Sequence, residues 1–142
     1  MDPALPARLR TFFSARGEIR LAWLFDSQAR GDAAAHSDVD VAVCHDAVDE
    51  AAYRYGYLLS LCTDLGDHLG TERVDVVDFR TAPPLLRHRI LRDGILLVCR
   101  DEELRQRLFC ETLREYEDWS YLHQVRMKEL RHRIAMGTFG LP

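Results

Sequence analysis

The sequence predicts one α/β (α+β) domain, a small β-sheet flanked by helices, with a helical segment closing the chain over about residues 101–136. Two observations predict it. Apolar runs of strand length alternate with stretches of helical period, in the order αβ(α)βαβαβα. The composition, 47% apolar and 30% charged over 142 residues, suits a single core spanning residues 1–142. A chain of this size buries roughly two-thirds of its unfolded surface, so it needs neither disulfides nor a structural metal to fold.

Pro6, followed by Leu9, Phe12 and Phe13, opens a short amphipathic helix that ends at Gly17. Ile19 to Phe25 is an apolar run rich in β-branched and aromatic residues, short enough for a strand buried on both faces. A polar turn follows, Asp26-Ser27-Gln28-Ala29-Arg30-Gly31, with Ser27 placed to cap a short helix. The next strand, Ser37 to Cys44, alternates: Val39, Val41 and Val43 share one face, and Asp38, Asp40, Ala42 and Cys44 the other. Asp49 is expected to cap one long helix to about His68, closed by Gly66 and Gly70. Val74 to Phe79 reads as a third strand, Thr81 to Arg92 as a helix opened by Pro83-Pro84, and Ile95 to Cys99 as a fourth strand after Asp93-Gly94. From Asp101 to about Met136 the pattern is helical, acidic first and basic later, in the sense that suits the helix dipole; its length predicts a break near Trp119-Ser120.

The charge balance, 19 basic against 23 acidic residues, argues against a protein that grips nucleic acid through phosphate neutralisation. Cys44, Cys62, Cys99 and Cys110 form no C-x-x-C pair, so buried free thiols in a reducing cytoplasm are the expectation. No basic region leads into an apolar leader, and no stretch approaches the ~20 apolar residues of a membrane span. A cytoplasmic location follows from these signs.

The chemistry concentrates at Asp38 and Asp40. Two apart on a strand, they project from one face with Cα atoms roughly 6.6 Å apart. Carboxylates drawn to about 4 Å repel by about 4 kcal/mol at an effective dielectric of 20, a repulsion that a divalent cation reverses. Hard oxygen donors favour Mg²⁺ or Mn²⁺. A lone D-x-D is more often a solvated face, but this pair follows a serine turn at the end of a buried strand, where a phosphate-binding turn belongs. Asp75 supplies a third carboxylate if the second and third strands are neighbours, with Asp78 its competitor on the opposite face. The structural rival is an Asp75 paired with Arg73 or Arg80.

Ser27, ten intervening residues and then Asp38-Val39-Asp40 resemble the G-S-x(10)-D-x-D signature of the DNA polymerase β-like nucleotidyltransferase superfamily. Val74-Asp75-Val76-Val77 is similar to that family's third-carboxylate strand. The short chain, with Ala82-Pro83-Pro84-Leu85-Leu86, Asp93-Gly94 and Leu113 to Tyr116, resembles more narrowly the minimal nucleotidyltransferase antitoxins of the MntA kind. The resemblance implies the nucleotidyltransferase fold, with a small mixed sheet, and an activity: transfer of AMP from ATP to a tyrosine of a HEPN-domain toxin ribonuclease, HepT-like, which neutralises it. It implies that Ser27 holds the β- and γ-phosphates and Arg30 steadies them. Asp38, Asp40 and Asp75 would ligate Mg²⁺ or Mn²⁺, and Asp75 would help to deprotonate the acceptor hydroxyl.

The chain departs from the signature at Asp26, where the family has Gly. A carboxylate facing inward there opposes the triphosphate. The rival expectation is therefore a nucleotidyltransferase fold that neutralises its toxin by steric binding alone; a nucleotidyltransferase acting on small molecules is a third, against which so short a chain argues. His36, Cys44 and His45 fit no zinc spacing, and the basic stretch Arg126 to Arg133 reads as a solvated helix face.

Overall fold

The computed structural model describes residues 3–25 and 38–137. Helix α1, Leu5–Ser14, starts with proline in its first turn and buries Leu5, Leu9, Phe12 and Phe13, one stripe at three- and four-residue spacing. Strand β1, Ile19–Phe25, has the predicted bounds, and all but Arg20 of its residues are buried. Strand β2 is Val39–His45, helix α2 Tyr57–Leu69, strand β3 Val74–Asp78, helix α3 Pro84–Asp93, strand β4 Ile95–Cys99 and helix α4 Glu102–Ala135.

The four strands form one sheet in the order β3-β2-β1-β4. β1 runs antiparallel to β2 and to β4, whereas β2 and β3 are parallel, so the sheet is mixed. The parallel pair is joined by α2, the crossover that parallel neighbours require. The valine alternation of β2 holds: Val39, Val41 and Val43 pack with Leu9, Phe13, Leu61 and Leu65 of α1 and α2. Ala42 and Cys44 point the other way, into a second cluster with Trp23, Phe79, Ile90, Leu104 and Leu108. Each sheet face is thus covered by a pair of helices. Arg100, just past β4, ties the far ends together by donating to the carbonyls of Ile19 at 2.7 Å and Phe13 at 3.0 Å.

Three expectations are corrected. Asp49 caps only a single 3-10 turn, Glu50–Ala52, its side chain accepting from the Ala51 N–H at 3.1 Å. Gly56, at φ 91 and ψ 161, interrupts the chain before α2, and Glu50 accepts from the Tyr57 N–H across the break at 2.9 Å. The closing helix does not break at Trp119-Ser120: α4 runs unbroken for 34 residues. No glycine or proline falls inside it, and a ring stack links Tyr116, Trp119 and His123 across the predicted break. The cysteines are free, but only Cys44 is buried; Cys62 is half-buried, while Cys99, at the end of an edge strand, and Cys110, on the outer side of α4, are exposed. Among the described residues, no helix is long and apolar enough to cross a membrane.

Candidate active site

β2 and β3 start level with each other, because the Val39 N–H donates to the Arg73 carbonyl at 2.8 Å. From there the parallel register aligns Asp40 with Asp75, Val41 with Val76 and Ala42 with Val77. Neighbouring strands lie about 4.8 Å apart and side chains alternate, so the two aspartates project side by side from one face. That face is the one which Ala42 and Cys44 share with α3 and α4. Antiparallel pairing sets Phe25, the last residue of β1, opposite Asp40, so three strands meet here. Asp40 is half-buried, and Asp75 and Asp38 are exposed, the latter immediately before β2.

The alternation also separates the two candidates on β3. Asp78 lies on the opposite face, aligned with Val43, and its Oδ1 accepts from the Arg80 N–H at 3.0 Å, capping the 3-10 turn Phe79–Thr81. The Arg80 guanidinium donates to the His45 carbonyl at 3.4 Å, at the other end of the strands from Asp75. The condition set for Asp75, adjacency of its strand to the D-x-D strand, is therefore met.

As donors, the three aspartates suit a hard divalent cation, and the register brings two of them together. The third does not close the set: among the described residues no group of three His, Cys, Asp or Glu side chains sits close enough to hold a metal ion. Like charges spread apart unless a positive charge stands between them, at a cost of about 4 kcal/mol for two at 4 Å and an effective dielectric of 20. The backbone register sets Asp40 beside Asp75, and carboxylates are the donor type that would hold such a cation. Asp26, Ser27 and Arg30 lie outside the described residues.

Neighbouring groups that invite a metal reading are otherwise engaged. Cys44 is sealed into the apolar cluster, where burial pushes its thiol up to about 12. The His45 ring sits 4.5 Å from that of Tyr57 on the opposite face. Tyr57 donates its hydroxyl to Glu18 at 2.9 Å, and burial first, then this bond, raises its pKa above the ordinary phenol range. Buried in that way, it is a poor acceptor for a transferred group.

Sequence reasoning passed over Arg87. It is 9% exposed, lies against Glu115 of α4, and lines a cleft of about 450 Å³ with Arg80, Arg107, Leu108 and Glu111. The available signal was its place three residues before Ile90, on the buried face of α3.

A family model described as polymerase beta, nucleotidyltransferase, matches residues 7–103, from α1 into the start of α4. The chain belongs to this nucleotidyltransferase family. No curated protein sequence matches it. Among solved structures, the nucleotidyltransferase is similar to a chain of a toxin–antitoxin complex crystallised with AMP-PNP, at TM-score 0.70 and 22% identity, over 89% of this chain and 98% of that one. It is similar to a chain of an MntA–HepT toxin–antitoxin complex at TM-score 0.64 and 20% identity, covering 89% and 96%. A third likeness is to a chain in a complex of a tri-AMPylated HEPN toxin with its MNT antitoxin from Shewanella oneidensis, at TM-score 0.66 and 20% identity, covering 92% and 99%. At these identities the nucleotidyltransferase shares with them its fold, along nearly the whole length of each.

Proposed function

We propose that this nucleotidyltransferase is an antitoxin that transfers AMP from ATP to a tyrosine hydroxyl of a HEPN-type toxin ribonuclease, HepT-like, and thereby neutralises it. The observation that carries the reading is the Asp40–Asp75 register pair, which sets two aspartates side by side at the start of the parallel strands, one half-buried and one exposed. Its chemical direction is supported by the fold neighbours, one crystallised with an ATP analogue and another containing an AMPylated toxin.

In this reading the tyrosine oxygen attacks the α-phosphorus, an O–P bond forms, the bond to the bridging oxygen breaks, and pyrophosphate leaves. The tyrosine proton passes to a carboxylate, and exposed Asp75 is the acceptor open to an incoming macromolecule. Asp38, Asp40 and Asp75 would hold Mg²⁺ or Mn²⁺, which supplies positive charge against the triphosphate. Ser27 and Arg30 would hold the phosphates, and Asp26 would sit among them.

The test is transfer of labelled AMP from ATP to the copurified toxin by the full chain. Asp40→Asn and Asp75→Asn should each lower the rate by about 10²-fold or more. Undiminished labelling in both variants would overturn the assignment. If Asp40→Asn protects cells as well as the unaltered chain while transferring nothing, neutralisation is steric, and Asp26→Gly should then strengthen ATP binding.

A further inference from the structure

The seam between α3 and α4 holds polar groups that the domain itself does not satisfy. Among the described residues, the buried side-chain atoms without a hydrogen-bond partner are Nε of Arg87, Nδ1 of His88 and Oγ1 of Thr112. Arg87 and His88 are consecutive in α3, and Thr112 lies one turn before Tyr116 of α4, whose ring stacks on that of His88 at 3.7 Å. Buried polar groups are almost always paired, so three orphans on one seam call for a cause.

The cleft of about 450 Å³ that Arg87 lines lies along this seam, within the range of roughly 300–1,000 Å³ that small-molecule sites occupy. Leu104 and Leu108 give it an apolar wall. Three guanidiniums line it as well: Arg80 from the 3-10 turn after β3, Arg87 from α3 and Arg107 from α4. Each carries five N–H donors and no acceptor, and few of those donors are spent. Arg80 gives one to the His45 carbonyl at 3.4 Å, and Arg87 gives Nη2 to Glu115. Arg107 has neither hydrogen bond nor ion pair among the described residues.

The carboxylates do not cancel this charge. Two line the cleft, Glu111 and Glu115, and Glu115 is committed to Arg87. Those on the Arg80 side are engaged too, Asp46 by the Arg20 guanidinium at 2.8 Å and Asp78 by the Arg80 amide at 3.0 Å. The lining is thus net positive in a chain whose formal charge is -4. That balance favours an anion, and the planar guanidinium fork favours an oxyanion able to accept two parallel bonds.

We propose that the α3–α4 cleft is a binding site for a small phosphate-bearing anion, held by Arg80, Arg87 and Arg107. It stands apart from the aspartates, because Arg80 lies at the other end of the strands from Asp75. The assignment does not depend on the catalytic reading.

Titration calorimetry of the full chain with inorganic phosphate and with pyrophosphate should show one site. Low ionic strength preserves the attraction, and omitting divalent cations keeps the aspartates from attracting the anion. Arg80→Gln and Arg107→Gln, both at exposed positions, should each weaken binding about tenfold. Glu111→Gln, which removes a like charge, should strengthen it, whereas Arg126→Gln, exposed on α4 away from the cleft, should leave it unchanged. Tighter binding of pyrophosphate assigns the cleft to a polyphosphate; equal or weaker binding assigns it to a single phosphate group. Absence of binding at millimolar anion overturns the proposal. So does binding indifferent to the Arg80 and Arg107 changes, or weakened equally by Arg126→Gln, since the anion would then answer to net charge and not to the cleft.

Discussion

At Gly56 the backbone sits at φ 91 and ψ 161, a region that essentially only glycine occupies. The residue lets the chain leave the Asp49-capped turn and enter α2, and a Cβ there would approach the Glu50 carboxylate at 3.3 Å. That contact matters because the same carboxylate holds the Tyr57 N–H, the first amide of the helix. Gly56→Ala is therefore expected to cost about 1–3 kcal/mol, read as a lower urea midpoint with an unchanged slope. The same glycine explains a misreading. Asp49 followed by Tyr53, Tyr57, Leu61 and Leu65 has the capping residue and spacing of one helix, and periodicity carries no penalty for a glycine. Only the dihedral reveals that Asp49 and Tyr57 begin different elements.

Among elements, α4 shows most directly how local chemistry sets stability. Asp101 caps it through the Leu104 N–H at 3.0 Å, and Glu102 in its first turn accepts from Arg105 and from the Cys99 thiol. The Arg105 bond first, then the thiol, lowers the Glu102 pKa to about 2. A carboxyl depressed on folding contributes stability above its unfolded pKa and loses it as pH falls toward the folded value. The difference in melting temperature between the unaltered chain and Glu102→Gln should therefore hold down to about pH 4.5 and close between there and pH 2. An unchanging difference across that range would show that the carboxylate contributes nothing through its charge. Strands β1 and β4 are legible to the residue because each is an apolar run, broken in β1 only by Arg20, that is bounded by charge or glycine. The continuity of α4 was not, because length alone suggested a break that no residue in the segment enforces.

For the whole molecule, the sheet divides the core into two layers that do not share side chains, one built around Leu61 and the other around Phe79. Leu61→Ala should cost about 2–5 kcal/mol and Phe79→Ala about 3–5, since both residues are fully buried. With the sheet between them, the double variant should match the sum within about 0.5 kcal/mol in urea unfolding. A larger departure would mean that the layers communicate through the strands. This scale is also where the sequence is least informative about the site. A two-residue period assigns Asp38, Asp40 and Asp75 to faces, but says nothing of which strand lies beside which; the pairing of Asp40 with Asp75 comes from the α2 crossover. Asp26, Ser27 and Arg30 rest on the sequence alone.

That crossover has a further consequence for synthesis. Because one aspartate arrives with the second strand and its companion only with the third, a nascent chain released before the crossover has docked carries a lone acid on an open edge. The proposed AMP transfer would then report on completed folding. No proteolytic fragment that separates the two strands should retain a share of it, and recovery of activity on refolding should lag the formation of helix.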